Sequence, residues 1–184
     1  MLDRLGAQKM SHKNIARMLY DKYLDKGIPG KSRGWWSQMV TVEYEYARGK
    51  RTVGETEGAG YEIGVQKAFS IPQKKAWEML TKTGRDLWLG KTSNIKFKKG
   101  FRYKTREGVT GEIRTIVPGE KLRLTWQPKN WPKASTVQIY LLCHRNRPKK
   151  TMIHFHQEKL ASGQVRSQMR RHWQSVLGKM EKLV

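Results

Sequence analysis

At 184 residues and 37% hydrophobic composition the chain can bury a substantial core, and its length suits one domain or one domain with an appendage. No apolar run is long enough to cross a bilayer, and the N-terminus lacks the apolar segment of a secretory signal. The one cysteine, Cys143, permits no intramolecular disulfide, so a cytoplasmic, reducing location without membrane insertion is expected. Formal charge is +23, and residues 87–184 carry +17 of it, against +4 for 1–60 and +2 for 61–86. Such a field attracts polyanions without sequence specificity. No nucleic-acid-reading motif accompanies it, so solubility and composition bias are the simpler account.

Residues 11–26 predict a helix with Ser11 as N-cap and Ile15, Met18 and Leu19 on one face, closed by Gly27, Pro29 and Gly30. A second helix begins near Ser32, with Trp35, Met39, Val42 and Tyr46 at close to helical spacing. The pair makes a helical hairpin. A DNA-reading helix-turn-helix is disfavoured, because the second helix is aromatic and carries Glu43 and Glu45 where a reader needs exposed cations. The aromatic stripe is instead expected to dock on the main body.

Residues 49–60 form a Gly- and Glu-rich connector, which sets a domain boundary between 1–60 and 61–184. A strand over 61–70 follows, then a helix over 73–83 framed by Pro72 and Gly84, with Trp77 and Leu80 inward. Strands are predicted at 95–106 and 108–117 around the turn Arg106-Glu107-Gly108, then at 121–127, 134–143 and 150–157. Leu122, Leu124 and Trp126 alternate with polar residues, as do Val137, Ile139 and Leu141, the pattern of an antiparallel sheet with one apolar face. Residues 162–183 predict an amphipathic helix that covers that face through Val165, Met169, Trp173, Val176 or Leu177, and Met180. The fold class is therefore α+β: a curved antiparallel β-sheet wrapped around a long C-terminal helix, preceded by an N-terminal helical hairpin.

The run from Ile71-Pro72 and Ala76-Trp77 through Trp88-Leu89-Gly90, Gly100-Phe101-Arg102-Tyr103, Gly111-Glu112-Ile113, Pro118, Leu122 to Trp126 and Ser135-Thr136-Val137 resembles the activator of Hsp90 ATPase homologue 1-like domain family. That family sits in the helix-grip superfamily shared with START domains and the birch-pollen allergen. The likeness covers roughly 61–184, departs at the basic turn 144–150, and implies a helix-grip domain. Residues 1–60 resemble, more weakly, an uncharacterised bacterial helical segment found ahead of such domains.

Enzymatic chemistry is not indicated. Acidic residues are scarce after position 86, no inward carboxylate pair suggests acid–base work, and no phosphate-binding glycine loop occurs. His154 and His156 share a strand face but lack further ligands at metal spacing, so no metal or other cofactor is expected; Cys143 reads as a half-buried thiol at a strand end. The aromatic set Trp88, Phe101, Tyr103, Trp126, Trp131, Phe155 and Trp173 falls where a helix-grip pocket would be lined, either as ordinary core or as a pocket for a hydrophobic or aromatic small molecule. Three functions follow as expectations. The first is non-enzymatic binding of such a molecule. The second, implied by the resemblance, is a cochaperone-like module with a protein partner. The third is electrostatic nucleic-acid binding through Lys96, Lys98, Lys99, Arg145, Arg147, Lys149 and Lys150.

Overall fold

Ser11 starts the first α-helix as its hydroxyl accepts from the Asn14 backbone N–H at 3.3 Å. The computed structural model describes residues 1–23, 30–56, 59–92, 94–144 and 146–184. The turn expected at Gly27 and Pro29 therefore lies outside the described residues. The chain divides into two units, Met1–Glu57 and Gly58–Val184.

In the first unit, α1 (His12–Met18) continues as a π-helical turn over Leu19–Tyr23. Ile15 and Leu19 are buried with Ala7 against half-buried Val40 and Tyr44 of α2 (Gly30–Ala47). The inward face of α2 differs from the expected aromatic stripe. Ser37, Thr41 and Glu45, four residues apart, are the buried positions, while Trp35 and Trp36 are exposed. The polar atoms on that face are bonded. Thr41 Oγ1 donates to the Ser37 carbonyl at 2.7 Å, and Glu45 receives His12 Nδ1 at 2.9 Å and pairs with Arg51 at 3.3 Å. Strand β1 (Glu55–Thr56) closes this stretch.

The second unit runs β2 (Gly60–Phe69), α3 (Gln73–Glu78) with a π-helical continuation Met79–Thr83, α4 (Arg85–Trp88), β3 (Arg102–Lys104), β4 (Thr110–Val117), β5 (Lys121–Trp126), β6 (Ser135–His144), β7 (Arg147–Leu160) and α5 (Gly163–Glu181). Its six strands stand in the order β2-β7-β6-β5-β4-β3, each pair antiparallel. Pro118-Gly119 makes the β4–β5 turn, with Gly119 at φ 84° and Glu120 N–H donating to the Val117 carbonyl. The strand expected over 95–106 shrinks to three residues. Gly100 takes φ 82° and Phe101 N–H donates to the Lys98 carbonyl, a turn that breaks the extended chain before Arg102.

Alternation sets the inward face. Leu122 stands opposite Ile139 and Leu124 opposite Val137, and Ile139 in turn faces Phe155. Helix α5 begins at Ser162, whose hydroxyl accepts from Val165 N–H at 3.2 Å, and it packs on β2 and β7. Met169, Trp173, Val176, Leu177 and Met180 form its buried stripe. Each large side chain of this stripe contributes about 1.5–3 kcal/mol through burial. Ala76, Met79 and Leu80 add a second cover from the short-helix segment, where Trp77 is only half-buried.

Candidate functional site

The seven aromatic residues singled out from the sequence belong to one apolar cluster. Trp88, Tyr103, Trp126, Phe155 and Trp173 are buried in it, and Phe101 and Trp131 pack on it half-buried. Five of them form a continuous run of rings. Trp88 meets Phe155 at 6.3 Å between centroids, Phe155 stacks on Trp173 at 4.7 Å, Trp173 meets Trp126 at 6.0 Å, and Trp126 meets Trp131 edge-on at 5.6 Å. The run thus passes from a fully buried interior to a half-buried rim. Trp126 holds the inward parity of β5 behind Leu122 and Leu124. Trp131 is set by its loop: its N–H donates to the Pro128 carbonyl at 3.0 Å, and Gln127 Nε2 donates to the Trp131 carbonyl at 2.9 Å.

Buried aromatic donors need acceptors, and three of them have one. Trp88 Nε1 donates to the Leu80 carbonyl at 2.9 Å, Trp173 Nε1 to Gln157 Oε1 at 2.8 Å, and the Tyr103 hydroxyl to the Thr125 carbonyl at 2.7 Å. Burial pushes the Tyr103 phenol far above its ordinary range, so it remains a proton donor. Gln157 is itself fully buried and passes the chain on, Nε2 to Ser135 Oγ at 2.9 Å and Ser135 Oγ to the Trp126 carbonyl at 2.7 Å. Trp126 Nε1 stands apart: it is buried and has no hydrogen-bond partner among the described residues. A buried donor left unpaired costs about 1–3 kcal/mol.

Sequence reasoning missed two residues here. Gln157 continues the inward parity of Ile153 and Phe155, a signal the alternation carries. His172 precedes Trp173 on α5 with its ring 4.6 Å from Trp173 and 6.1 Å from Trp126. No spacing rule selects it. His172 is exposed as a residue, and partial burial of its imidazole, with a smaller effect of the Lys179 charge, holds it below the usual histidine range.

The other candidates are placed differently. Lys96, Lys98 and Lys99 are exposed ahead of β3, whereas Lys149 and Lys150 are exposed on β7, with β6, β5 and β4 between the two strands in the sheet. Arg145 lies outside the described residues, as does the Arg147 side chain. A separate shallow cleft gathers Lys104, Arg106 and Lys129 with Glu107. His154 and His156 stand on the face opposite Ile153 and Phe155, 6.1 Å apart between ring centroids. His154 is held below the usual range by burial and then by the His156 charge. Among the described residues no group of three or more His, Cys, Asp or Glu could hold a metal ion. Cys143 is exposed rather than half-buried: it shares the parity of Leu141, but it lies near the end of β6 beside the register shift between Cys143 and His144. Among the described residues no helix is long and apolar enough to cross a membrane.

Comparison with known proteins agrees with this architecture. Protein MLL2253 from Mesorhizobium loti superposes with a TM-score of 0.57 at 22% identity, over 66% of this chain and 95% of that one. CalU16 from Micromonospora echinospora gives 0.58 at 17% identity, over 67% and 75%. PFC0360w, an HSP90 activator from Plasmodium falciparum, gives 0.57 at 18% identity, over 67% and 96%. At these identities the likeness is one of fold, the helix-grip arrangement. No curated protein sequence matches the chain. The family described as activator of Hsp90 ATPase homolog 1-like protein matches residues 70–184, well over half of the chain, and the chain belongs to that family.

Proposed function

We propose that the second unit is a binding module for a hydrophobic, ring-bearing small molecule, taken up between the inner sheet face and α5. The observation that carries this reading is the run of aromatic rings that leads from buried Phe155 and Trp173 through Trp126 to half-buried Trp131. A core needs no such path to its rim, whereas an apolar guest needs rings that can shift against it. The helix-grip fold, a ligand-binding fold family, supports the same reading. Trp88, Phe101, Tyr103, Trp126, Trp131, Phe155 and Trp173 are its proposed lining.

The test is an amide and indole NMR titration of the labelled protein with pooled apolar aromatics at moderate salt. Shifts confined to the inner sheet face and α5 are expected. No shift with any pool overturns the proposal and leaves the seven aromatics as packing. Such binding should be nearly indifferent to salt. Association of an oligonucleotide with the basic surface around Lys96, Lys98, Lys99, Lys149 and Lys150 would instead weaken by orders of magnitude between about 50 and 200 mM salt.

A second reading rests on the family's name and on the description of the Plasmodium protein as an HSP90 activator. It is a cochaperone-like module that binds a protein partner. Stimulation of an Hsp90 ATPase by stoichiometric amounts of this chain would support it, and no stimulation would dismiss it.

A further inference from the structure

The apolar cluster of the second unit contains one polar atom whose state its neighbours do not explain. Trp126 is 7% exposed, its Nε1 is buried, and no acceptor among the described residues meets it. Trp88, Trp173 and Tyr103, its counterparts in the same cluster, all donate to acceptors within 2.9 Å. Buried acceptors of the second unit already receive other donors: Gln157 Oε1 from Trp173, Ser135 Oγ from Gln157, and the Thr125 carbonyl from Tyr103. A dry core gains nothing from an orphaned donor, which an aromatic ring without an N–H would avoid. A site that receives an acceptor from outside does have a use for it.

The flanking groups indicate what kind of acceptor. Trp131 stands edge-on to Trp126, and His172 and Trp173 face its ring at 6.1 and 6.0 Å. These walls are aromatic, and a single neutral N–H donor among them does not compensate the desolvation of a carboxylate or phosphate. A carbonyl oxygen answers that donor without bringing a proton that would need an acceptor in turn. We propose that the ligand is a neutral carbonyl compound with an apolar ring body, a ketone or ester whose oxygen accepts from Trp126 Nε1 while its rings lie against Trp131 and His172. The proposal rests on the binding function above and adds the ligand's chemical class and the residue that selects it.

A matched pair of probes separates the two levels. 2-Acetylnaphthalene carries the carbonyl, and 2-isopropylnaphthalene has nearly the same shape without it. The wild-type protein should bind the ketone about fivefold to tenfold more tightly, the worth of one neutral hydrogen bond. Trp126→Phe should bring the two affinities within about twofold of each other. Independently of any variant, the indole N–H resonance of Trp126 in the wild type should move downfield with the ketone and not with the hydrocarbon. Equal binding of both probes, or a ketone preference that persists in Trp126→Phe with an unmoved Trp126 indole signal, overturns the carbonyl assignment and leaves hydrophobic binding standing. Failure of both probes to bind overturns the binding function and this assignment together.

Discussion

Trp173 on α5 donates its indole N–H to Gln157 on β7 at 2.8 Å, and both residues are wholly buried. The bond ties the covering helix to the sheet at a fixed point, where apolar packing alone would allow the helix to slide. Gln157 is the middle of a chain that ends at the Trp126 carbonyl through Ser135. Gln157→Leu keeps the bulk and removes the middle, which strands the Trp173 donor and releases Ser135 Oγ. The expected loss is about 1–3 kcal/mol, read as a lower urea midpoint at an unchanged slope. A midpoint equal to the wild type would mean that the chain does not hold the helix.

The two neighbouring tryptophans should respond differently to the same change. Trp173→Phe removes a donor that is in use and leaves Gln157 Oε1 unsatisfied, so it should cost about 3 kcal/mol or more. Trp126→Phe removes a donor that has no partner, so its cost should be smaller by about 1 kcal/mol or more. Equilibrium unfolding of the two variants side by side decides the matter. Equal losses would show that Trp126 Nε1 is satisfied in solution.

Tyr103 on β3 stands directly opposite Gly111 on β4 and crosses over it to reach Thr125 on β5. The crossing requires a residue without a side chain beneath the ring. A Cβ built at Gly111 would overlap both the Tyr103 hydroxyl and the Thr125 carbonyl. Gly111→Ala should therefore displace the ring, break its hydrogen bond and cost at least about 2 kcal/mol. Tyr103→Phe, which keeps the ring and loses only the bond, should cost less. If Gly111→Ala unfolds at the wild-type midpoint, the strap is not a constraint on the sheet edge.

Strand alternation and the α5 periodicity were sufficient to read the sheet, its order of elements and its cover, because each buried residue there repeats a period set by its own backbone. On α2 the buried positions are not the apolar stripe. Trp35, Met39, Val42 and Tyr46 have the hydrophobicity of a core, but Ser37, Thr41 and Glu45 are the buried positions, and their polar atoms find partners within the unit. The short β3 was hidden by a turn at Lys98–Gly100 that interrupts an otherwise strand-like run. At the site, the tryptophans were legible one by one. Their contacts were not, since Trp126, Trp131 and Trp173 come from a strand, a loop and a helix whose meeting is a tertiary matter. His172 gave no pattern at all, and the missing partner of Trp126 can be seen only once every nearby acceptor has been placed.

His172 supplies a pH signature for the same region. Its folded-state pKa is held below the ordinary 6.5, chiefly by desolvation and then by Lys179. The unfolded chain therefore binds a proton more readily than the folded one across the window just below 6.5. The associated stability is fully present above that window and is lost as pH falls through it. His154, lowered by burial and by His156, acts with the same sign. Carboxylates such as Glu107, also lowered, lose their contribution only in more acidic solution. Thermal unfolding at about pH 7.5 and about pH 5.5 should thus show a drop in midpoint for the wild type. His172→Gln cannot take up the proton, so its drop should be smaller, with the remainder due to His154. An identical drop in both proteins would show that His172 titrates as freely in the folded chain as in the unfolded one.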